Sequence, residues 1–242
     1  MPHLANLRCR TDELLCRTCS CDAALKRTMP RLQPTDHQRH GNFVLMSNAA
    51  TVRGSSPPWL EDPHDRPLTH RDLDDTPDDG NRYELIDGEL HVSPFPSSSH
   101  QHVIARLLVL LDSYVRQRGL GLVFTAGLKV VLDEQTGVGP DVVFISQERL
   151  SGLMEDGFYG APDLLVEVLS SKPALDTLIK KQKYARSGVP HYWIIDPEKR
   201  ALQAYRLEGD RYHLMAEAAG EAVFEPSLFP GLAIPLADLW LF

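Results

Sequence analysis

Several features that define common protein classes are missing from this 242-residue chain. No apolar run approaches the ~20 residues that a membrane-spanning helix needs, and the N-terminus has no continuous apolar segment typical of a secretory signal. The sequence contains no Gly-x-Ser-x-Gly, His-Glu-x-x-His or Gly-x-Gly-x-x-Gly motif, which argues against a serine hydrolase, a zincin and a dinucleotide-binding enzyme. We therefore expect a cytoplasmic protein with no membrane partner.

Cysteine is absent from the whole chain after residue 21. The four cysteines lie at the extreme N-terminus: Cys9, Cys16, Cys19 and Cys21. Because the remainder has none, its fold does not depend on a disulfide framework. The pair Cys16 and Cys19 has a spacing found in zinc sites, but no complete pair of zinc-binding knuckles is present. The alternative to a zinc site is a leader without a fold.

An excess of basic residues is also missing, since 25 Lys and Arg stand against 33 Asp and Glu, a formal net charge of -8. A nucleic-acid-binding domain usually carries a basic footprint, so the overall charge argues against such a partner. Two points weaken this argument. A metal site collects carboxylates that the bound cation neutralises, and the local charge near a cleft matters more than the net charge.

Composition divides the chain into three parts. Residues 1–66 show no sustained periodicity, and we interpret them as a disordered or non-native leader. Residues 67–82 are rich in Asp and Pro and are predicted to be an acidic linker, in which Thr69 caps one short helical turn. Regular patterns begin at Tyr83, so we predict the folded domain over residues 83–242.

The first regular patterns predict a hairpin followed by a helix. Asp87-Gly88 separates the strand-like runs YELI and ELHV, and this dipeptide is typical of a tight hairpin turn. The following segment has apolar residues at helical spacing, with Ser98 or Ser99 as the N-cap and Gly119 as the stop.

The rest of the chain reads mostly as strands. Four are predicted in succession: GLVFTAG, LKVVLDE, PDVVFIS and LLVEVLS. A helix that ends at Gly188, the strand HYWIIDP and a C-terminal hairpin around Gly209-Asp210 follow. This order predicts an α/β fold with few helices and excludes a repeated βαβ pattern.

Three carboxylates lie within or at the start of apolar strands: Glu84 in YELI, Asp141 before VVFI and Glu167 in LLVEVLS. A buried carboxylate needs a basic partner, backbone donors or a metal ion. If the strands of Asp141 and Glu167 are neighbours, both acids reach one cleft and, with the backbone carbonyl of Val168, suit Mg²⁺. Alternatively, Asp141 caps a turn, Glu167 pairs with a lysine, and Glu84 faces solvent.

Basic side chains follow Glu167 on the second helix. Asp176 and Lys180 are four residues apart and share a helix face, either near the acids or as an ordinary surface ion pair. His100 stands at the start of the first helix, where it either contacts phosphate or serves as a partly exposed capping residue.

The chain resembles the Uma-two family of restriction-endonuclease-like proteins from about Arg82 to Phe242. The motifs that carry the resemblance are YELIDGEL, SHQHVIARL, VGPDVVFIS, GAPDLLVEVLS, the spacing of Asp176, Lys180 and Tyr184, and GVPHYWIIDP. It implies the PD-(D/E)xK fold, a restriction-endonuclease-like mixed central β-sheet flanked by helices, with a C-terminal β-hairpin.

The resemblance also implies the site. It places Asp141 and Glu167 at the two acidic positions of the motif. The lysine expected two residues after Glu167 is Leu169 here, and the resemblance assigns its role to Lys180 on the next helix, with Lys181 and Lys183 as rivals. A lysine on a helix can still reach the cleft because its stem is long.

These residues together imply a metal-dependent endonuclease that hydrolyses phosphodiester bonds of nucleic acid, with DNA as the expected substrate. The expected metal is Mg²⁺ or Mn²⁺, held by Asp141, Glu167 and the Val168 carbonyl. The expected roles of the other residues are catalysis by Lys180 and Glu84 and nucleic-acid contact by His100, Lys181 and Lys183.

Two alternatives stay open. The domain is a non-catalytic nucleic-acid-binding or regulatory module on an inherited nuclease fold, which the lost lysine at position 169 and the acidic charge favour. A weaker alternative is a structural oligomerisation domain with HYWII as an interface strand. A homodimer would also suit an enzyme that cleaves both strands of a duplex.

Overall fold

The structure is a computed structural model that describes residues 50–51, 66–170 and 174–241, with the side chains of 174–177 left undescribed. The chain divides into two units, residues 1–44 and 45–242, and every described residue belongs to the second. The four cysteines and the side chain of Asp176 therefore lie outside the described residues. Within that described part, no helix has the length and apolar character needed to cross a bilayer.

Two α-helices and fifteen strands form the described part, together with three short 3₁₀ helices. The helices are α1 (Ser98–Arg118) and α2 (Ala174–Arg186). The strands are β1 (Ala50–Thr51), β2 (Arg82–Ile86), β3 (Glu89–Ser93), β4 (Gly121–Thr125), β5 (Val130–Asp133), β6 (Thr136–Val138), β7 (Val142–Ser146), β8 (Leu153–Met154), β9 (Gly157–Tyr159), β10 (Leu164–Val168), β11 (His191–Asp196), β12 (Ala201–Glu208), β13 (Arg211–Ala219), β14 (Val223–Phe224) and β15 (Ile234–Pro235). The 3₁₀ helices are His70–Asp75, Gln147–Gly152 and Leu236–Leu239.

The central sheet has six strands in the order β13-β12-β11-β10-β7-β4. Its strands are antiparallel to their neighbours except for the parallel pair β10 and β11, so the sheet is mixed. A second sheet has the order β1-β3-β2-β6-β5-β9-β8, and β14 pairs with β15. The predicted strands of the central sheet and its C-terminal hairpin, β12 and β13, are thereby confirmed.

The two helices cover opposite faces of the central sheet. Because strand side chains alternate between faces, adjacent residues of one strand contact different helices. On β10, Val166 packs in one apolar cluster with Leu107 and Leu111 of α1. Leu165, the adjacent residue, packs in a second cluster with Tyr184 of α2. That second cluster also contains residues of the smaller strands: Ile86, Val130, Val138 and Phe158. Glu167 has the same parity as Leu165, so it faces α2 and the second sheet.

Local turn chemistry agrees with the backbone. Asp87 and Gly88 have φ of 50° and 78°, as the predicted hairpin requires. Gly119 ends α1 with φ of 62°. The N-cap differs by one residue from the prediction: Ser97, and neither Ser98 nor Ser99, accepts a hydrogen bond from the backbone of His100.

The segment predicted as an acidic linker packs against the second sheet in part. Thr69 caps the 3₁₀ helix His70–Asp75, as predicted, and its backbone N–H donates to Asp72 at 2.7 Å. His70 is buried, and both it and Leu73 lie against Gly137, where a Cβ would stand 2.8 Å from the Leu73 Cδ1. The packed region therefore begins upstream of residue 83. Two residues of the predicted leader, Ala50–Thr51, also pair with β3.

Other strands differ from the sequence patterns for physical reasons. The strands β6, β8 and β9 have only two or three residues, so no alternation is visible in the sequence. The reading of HYWII as an interface strand is wrong, because β11 is hydrogen-bonded to β10 on one edge and to β12 on the other. A strand with both edges paired has no free edge to offer a partner.

Candidate active site

The register of two neighbouring strands brings the first two acids together. Strands β7 and β10 are antiparallel, with Val142 opposite Val166. One further step along this register places Asp141 opposite Glu167, on the same face of the sheet. The exposed fractions are 1% for Asp141 and 8% for Glu167. The expectation that the two strands are neighbours is confirmed.

Asp141 is held by groups from three parts of the chain. Its Oδ1 accepts from Arg82 Nη1 at 2.9 Å and lies 3.2 Å from His100 Nε2, while its Oδ2 accepts from the backbone N–H of Val168 at 2.8 Å. Arg82 also donates to the carbonyl of Gly139. Burial alone would raise the pKa of Asp141, but the His100 hydrogen bond and the Arg82 charge outweigh it, so the pKa is lowered.

Lys180 joins the other two acids. Its Nζ lies 2.7 Å from Glu84 Oε2 and 3.3 Å from Glu167 Oε1. Glu84 Oε1 accepts from the backbone N–H of Gly139 at 2.9 Å. Glu84 is 4% exposed, so its solvent-facing alternative is excluded. Although burial opposes ionisation, the charges of Lys180 and Arg82 lower the pKa of Glu84.

Glu167 is the acid that burial affects most strongly. Burial, opposed by Lys180 and reinforced by the negative charges of Asp141 and Glu84, raises its pKa to about 7. The hydroxyl of Tyr184 donates to Glu167 Oε1 at 2.7 Å. Three buried carboxyl groups thus share two basic side chains, Arg82 and Lys180, and Glu167 is the acid that most readily holds a proton.

Comparison with known proteins identifies the family of the chain. The profile of the Uma2 family, described as "Putative restriction endonuclease", matches residues 70–237. The chain belongs to the Uma2 family. That is the family the sequence motifs indicate, and the matched range includes the 3₁₀ helix at His70.

A solved structure similar to this Uma2 chain is a "putative nuclease belonging to DUF820" from Anabaena variabilis. The two share 20% sequence identity with a TM-score of 0.58, over 72% of this chain and 98% of that one. At this identity the likeness shows the fold alone, and it confirms the restriction-endonuclease-like mixed sheet flanked by helices. No curated protein matches the chain.

Of the three lysines considered for the Uma2 site, the structure places Lys180 among the acids. Lys181 Nζ lies 3.4 Å from the centre of the Tyr205 ring. Lys183 contacts Asp87 and lies 2.7 Å from Asp133 Oδ2. Nucleic-acid contact by Lys181 and Lys183 stays a prediction, as it does for His100, whose ring is buried against Asp141.

Two residues of the site were given no role by the sequence patterns. Arg82 has the same strand parity as Glu84, so a period of two in β2 was the available signal. Tyr184 follows Lys180 by four residues and therefore shares its helix face. Neither signal reveals the contact with Asp141 or Glu167, because those partners come from distant parts of the chain.

The three acids are also candidate ligands of a metal ion. Among the described residues, no three His, Cys, Asp or Glu side chains are arranged as ligands of one ion. Nitrogens of Arg82 and Lys180 lie against carboxylate oxygens of the three acids. The donor chemistry nevertheless fits a hard divalent cation, because buried carboxylate oxygens with surplus negative charge are what Mg²⁺ prefers.

Proposed function

We propose that this Uma2 protein is a metal-dependent endonuclease that hydrolyses phosphodiester bonds of nucleic acid, DNA being the expected substrate. The observation that carries the proposal is the convergence of Glu84, Asp141, Glu167 and Lys180 in one buried cluster. They come from β2, the start of β7, β10 and α2. The Uma2 family and the similar structure are both described as nucleases, which supports the same reaction class.

A Mg²⁺ or Mn²⁺ ion would be held by Asp141, Glu167 and the backbone carbonyl of Val168, with Glu84 as a further acid, directly or through water. When bound, such an ion lowers the pKa of its water and neutralises charge on the scissile phosphate. The backbone N–H of Val168 already fixes the orientation of Asp141, so the first acid needs no rearrangement of its backbone support.

The protein's own groups orient the acids and supply positive charge. Lys180 lies between Glu84 and Glu167, where its ammonium can orient the attacking water and stabilise the charge of the phosphorane-like transition state. The hydroxyl of Tyr184 holds Glu167 from the next turn of the same helix. His100 and Arg82 hold Asp141.

A second candidate function is a non-catalytic nucleic-acid-binding or regulatory module. One observation favours it: each of the three acids already accepts from protein donors, and Lys180 is only 5% exposed. A site that is satisfied internally is stable without a cation, so it can persist as a structural remnant on an inherited fold.

The experiment that separates the two incubates the full chain with plasmid DNA and single-stranded oligonucleotides, with Mg²⁺, with Mn²⁺ and with a chelator. Asp141→Ala and Lys180→Ala should each lower metal-dependent cleavage at least about 100-fold. Mn²⁺ binding by calorimetry should be lost in Asp141→Ala, while circular dichroism shows that the variants are folded.

Two variants serve as matched controls. Asp163 precedes β10 at the opposite end of the same strand pair, where it accepts from the Ser146 N–H at 2.7 Å and pairs with Arg149. Lys129 pairs with Asp74 outside the site. Asp163→Ala and Lys129→Ala should keep cleavage. Cleavage that survives Asp141→Ala would refute the assignment, whereas no cleavage together with no Mn²⁺ binding would establish the module.

A further inference from the structure

An exposed aromatic ring stands in the loop between β3 and α1. Phe95 is 78% exposed, more than any other large apolar side chain in the described part of the chain. A single exposed apolar residue needs no explanation by itself. The position of this ring relative to the acids gives it significance.

The hairpin register brings the loop that carries Phe95 close to the first residue of β2. Arg82 is opposite Ser93 and Glu84 is opposite His91. Phe95 lies two residues beyond Ser93, the last residue of β3 and the partner of Arg82. The contact with Gly80 agrees, because a Cβ on that glycine would lie 2.5 Å from Phe95 Cε2.

The ring therefore rests against the backbone two residues before Arg82, which is at most about 7 Å of chain away. Gly80, with φ of 82°, leaves room for it. Prolines flank the ring at positions 94 and 96, and a following proline restricts Phe95 to extended backbone. The loop thus presents an aromatic surface with few alternative conformations, so binding would order little additional chain.

Arg82 is the cation of the site that reaches solvent. Its side chain is 29% exposed, against 7% for Lys180. The planar guanidinium has donors suited to phosphate as well as to the carboxylate of Asp141 that it already contacts. Arg82 and Gly80, against which the Phe95 ring rests, are two residues apart, so both side chains can meet one short stretch of a nucleic-acid strand.

We propose that Arg82 and Phe95 form a subsite for an unpaired nucleotide, so that the substrate of the proposed nuclease is single-stranded nucleic acid. The subsite rests on the proposed function and names its substrate class. Stacking on an aromatic ring accepts any base that has a free face, whereas the bases inside a duplex cover one another. A chain with a net charge of -8 gains little from phosphate contacts alone, so stacking supplies binding that charge does not.

The test measures fluorescence anisotropy of labelled oligonucleotides with the full chain in chelator, where no cleavage occurs. The probes are a single strand of about 12 nucleotides and the duplex of the same sequence. The wild type should bind the single strand more tightly than the duplex. Phe95→Ala should weaken single-strand binding about tenfold, and Phe95→Trp should keep it.

Two further readings make the result specific. The single-stranded oligonucleotide should quench tryptophan fluorescence more in Phe95→Trp than in wild type. The additional quenching reports contact between the new tryptophan and a base. Val109→Ala on α1 is the control, because Val109 is also exposed, at 58%, and should leave binding unchanged.

Equal affinity of wild type and Phe95→Ala, tighter binding of duplex, or no binding of the single strand would overturn the subsite. Sedimentation showing that Phe95→Ala dissociates a dimer would do the same, since the ring would then be a contact between copies. Equal affinity of wild type and Phe95→Ala, together with cleavage that disappears in Asp141→Ala, would remove the subsite and leave the proposed nuclease intact.

Discussion

Two lysines on α2, three residues apart, have nearly the same local arrangement. Lys180 and Lys183 are 5% and 8% exposed, and each lies between two carboxylates. The partners are Glu84 and Glu167 for Lys180, and Asp87 and Asp133 for Lys183.

The partners differ in their access to water. The carboxylates around Lys183 have side chains that are 57% and 47% exposed, whereas those around Lys180 are 5% and 10% exposed. Water can solvate the first pair when the lysine is absent, but it cannot solvate the second. A buried lysine alone therefore does not identify a functional site. A functional site is indicated by a group of buried acids that depends on such a lysine and that outnumbers its basic partners.

The largest expected effect is on stability when each lysine is removed. In chelator, Lys180→Ala should lower the free energy of unfolding by about 3–5 kcal/mol, because two buried carboxylates lose their cation. Lys183→Ala should lower it by about 1 kcal/mol, because its partners are half exposed and screened. Urea denaturation measures both. Lys180→Met keeps most of the side-chain volume and therefore separates the loss of charge from the loss of packing. Equal losses of unfolding free energy for Lys180→Ala and Lys183→Ala would contradict the distinction between the two regions.

The next effect is a dependence on pH that belongs to the Lys180 region. The pKa of Glu167 is about 7 in the folded chain, against an ordinary value of 4.5. As pH rises between these values, the unfolded chain releases this proton while the folded chain retains it. The contribution of Glu167 to stability is therefore complete below pH 4.5 and is lost as pH rises to about 7, a change of about 3 kcal/mol.

Glu167→Gln isolates this contribution, because glutamine does not titrate. The lowered pKa values of Glu84 and Asp141 act in the opposite direction, with stability lost as pH falls, and they are present in both proteins. The difference in unfolding free energy, wild type minus variant, should decline across pH 4.5 to 7 when measured by urea denaturation in chelator. A difference that stays constant across this range would contradict the raised pKa.

The smallest effect is expected for an acid of the Lys183 region. Asp87→Asn should cost less than about 1 kcal/mol of unfolding free energy, since this carboxylate is half exposed and Lys183 keeps Asp133. Glu84→Gln is the matched change beside Lys180 and should cost more. A loss for Asp87→Asn as large as that for Glu84→Gln, in the same denaturation assay, would show that exposure does not separate the two regions.

Sequence patterns predicted the acids of the site better than its cations. Asp141 and Glu167 stand out because a carboxylate in an apolar strand demands a partner. Helix α2 gives no comparable contrast, since Lys180, Lys181 and Lys183 are all ordinary residues of an amphipathic helix. Only the packing of α2 on the sheet decided that Lys180 meets the acids while Lys181 lies over Tyr205.

The sequence also did not show which side chains are exposed to solvent. Phe95 reads as an ordinary loop residue, and only the structure shows that its ring rests against Gly80, two residues before Arg82. The sequence did not predict the short strands β6, β8 and β9 for a related reason. They are defined by hydrogen bonds to other segments, and none is long enough to show an alternation of apolar and polar residues.

The sequence by itself determined what depends on neighbours along the chain. Asp87-Gly88 accepts positive φ and so makes the hairpin, apolar spacing makes α1, and Gly119 ends it. The tertiary structure alone decided which charges meet: Arg82 reaches Asp141 across 59 residues of sequence. Electrostatic energy and solvation depend on distance through space and on burial, and neither quantity is a property of a local segment.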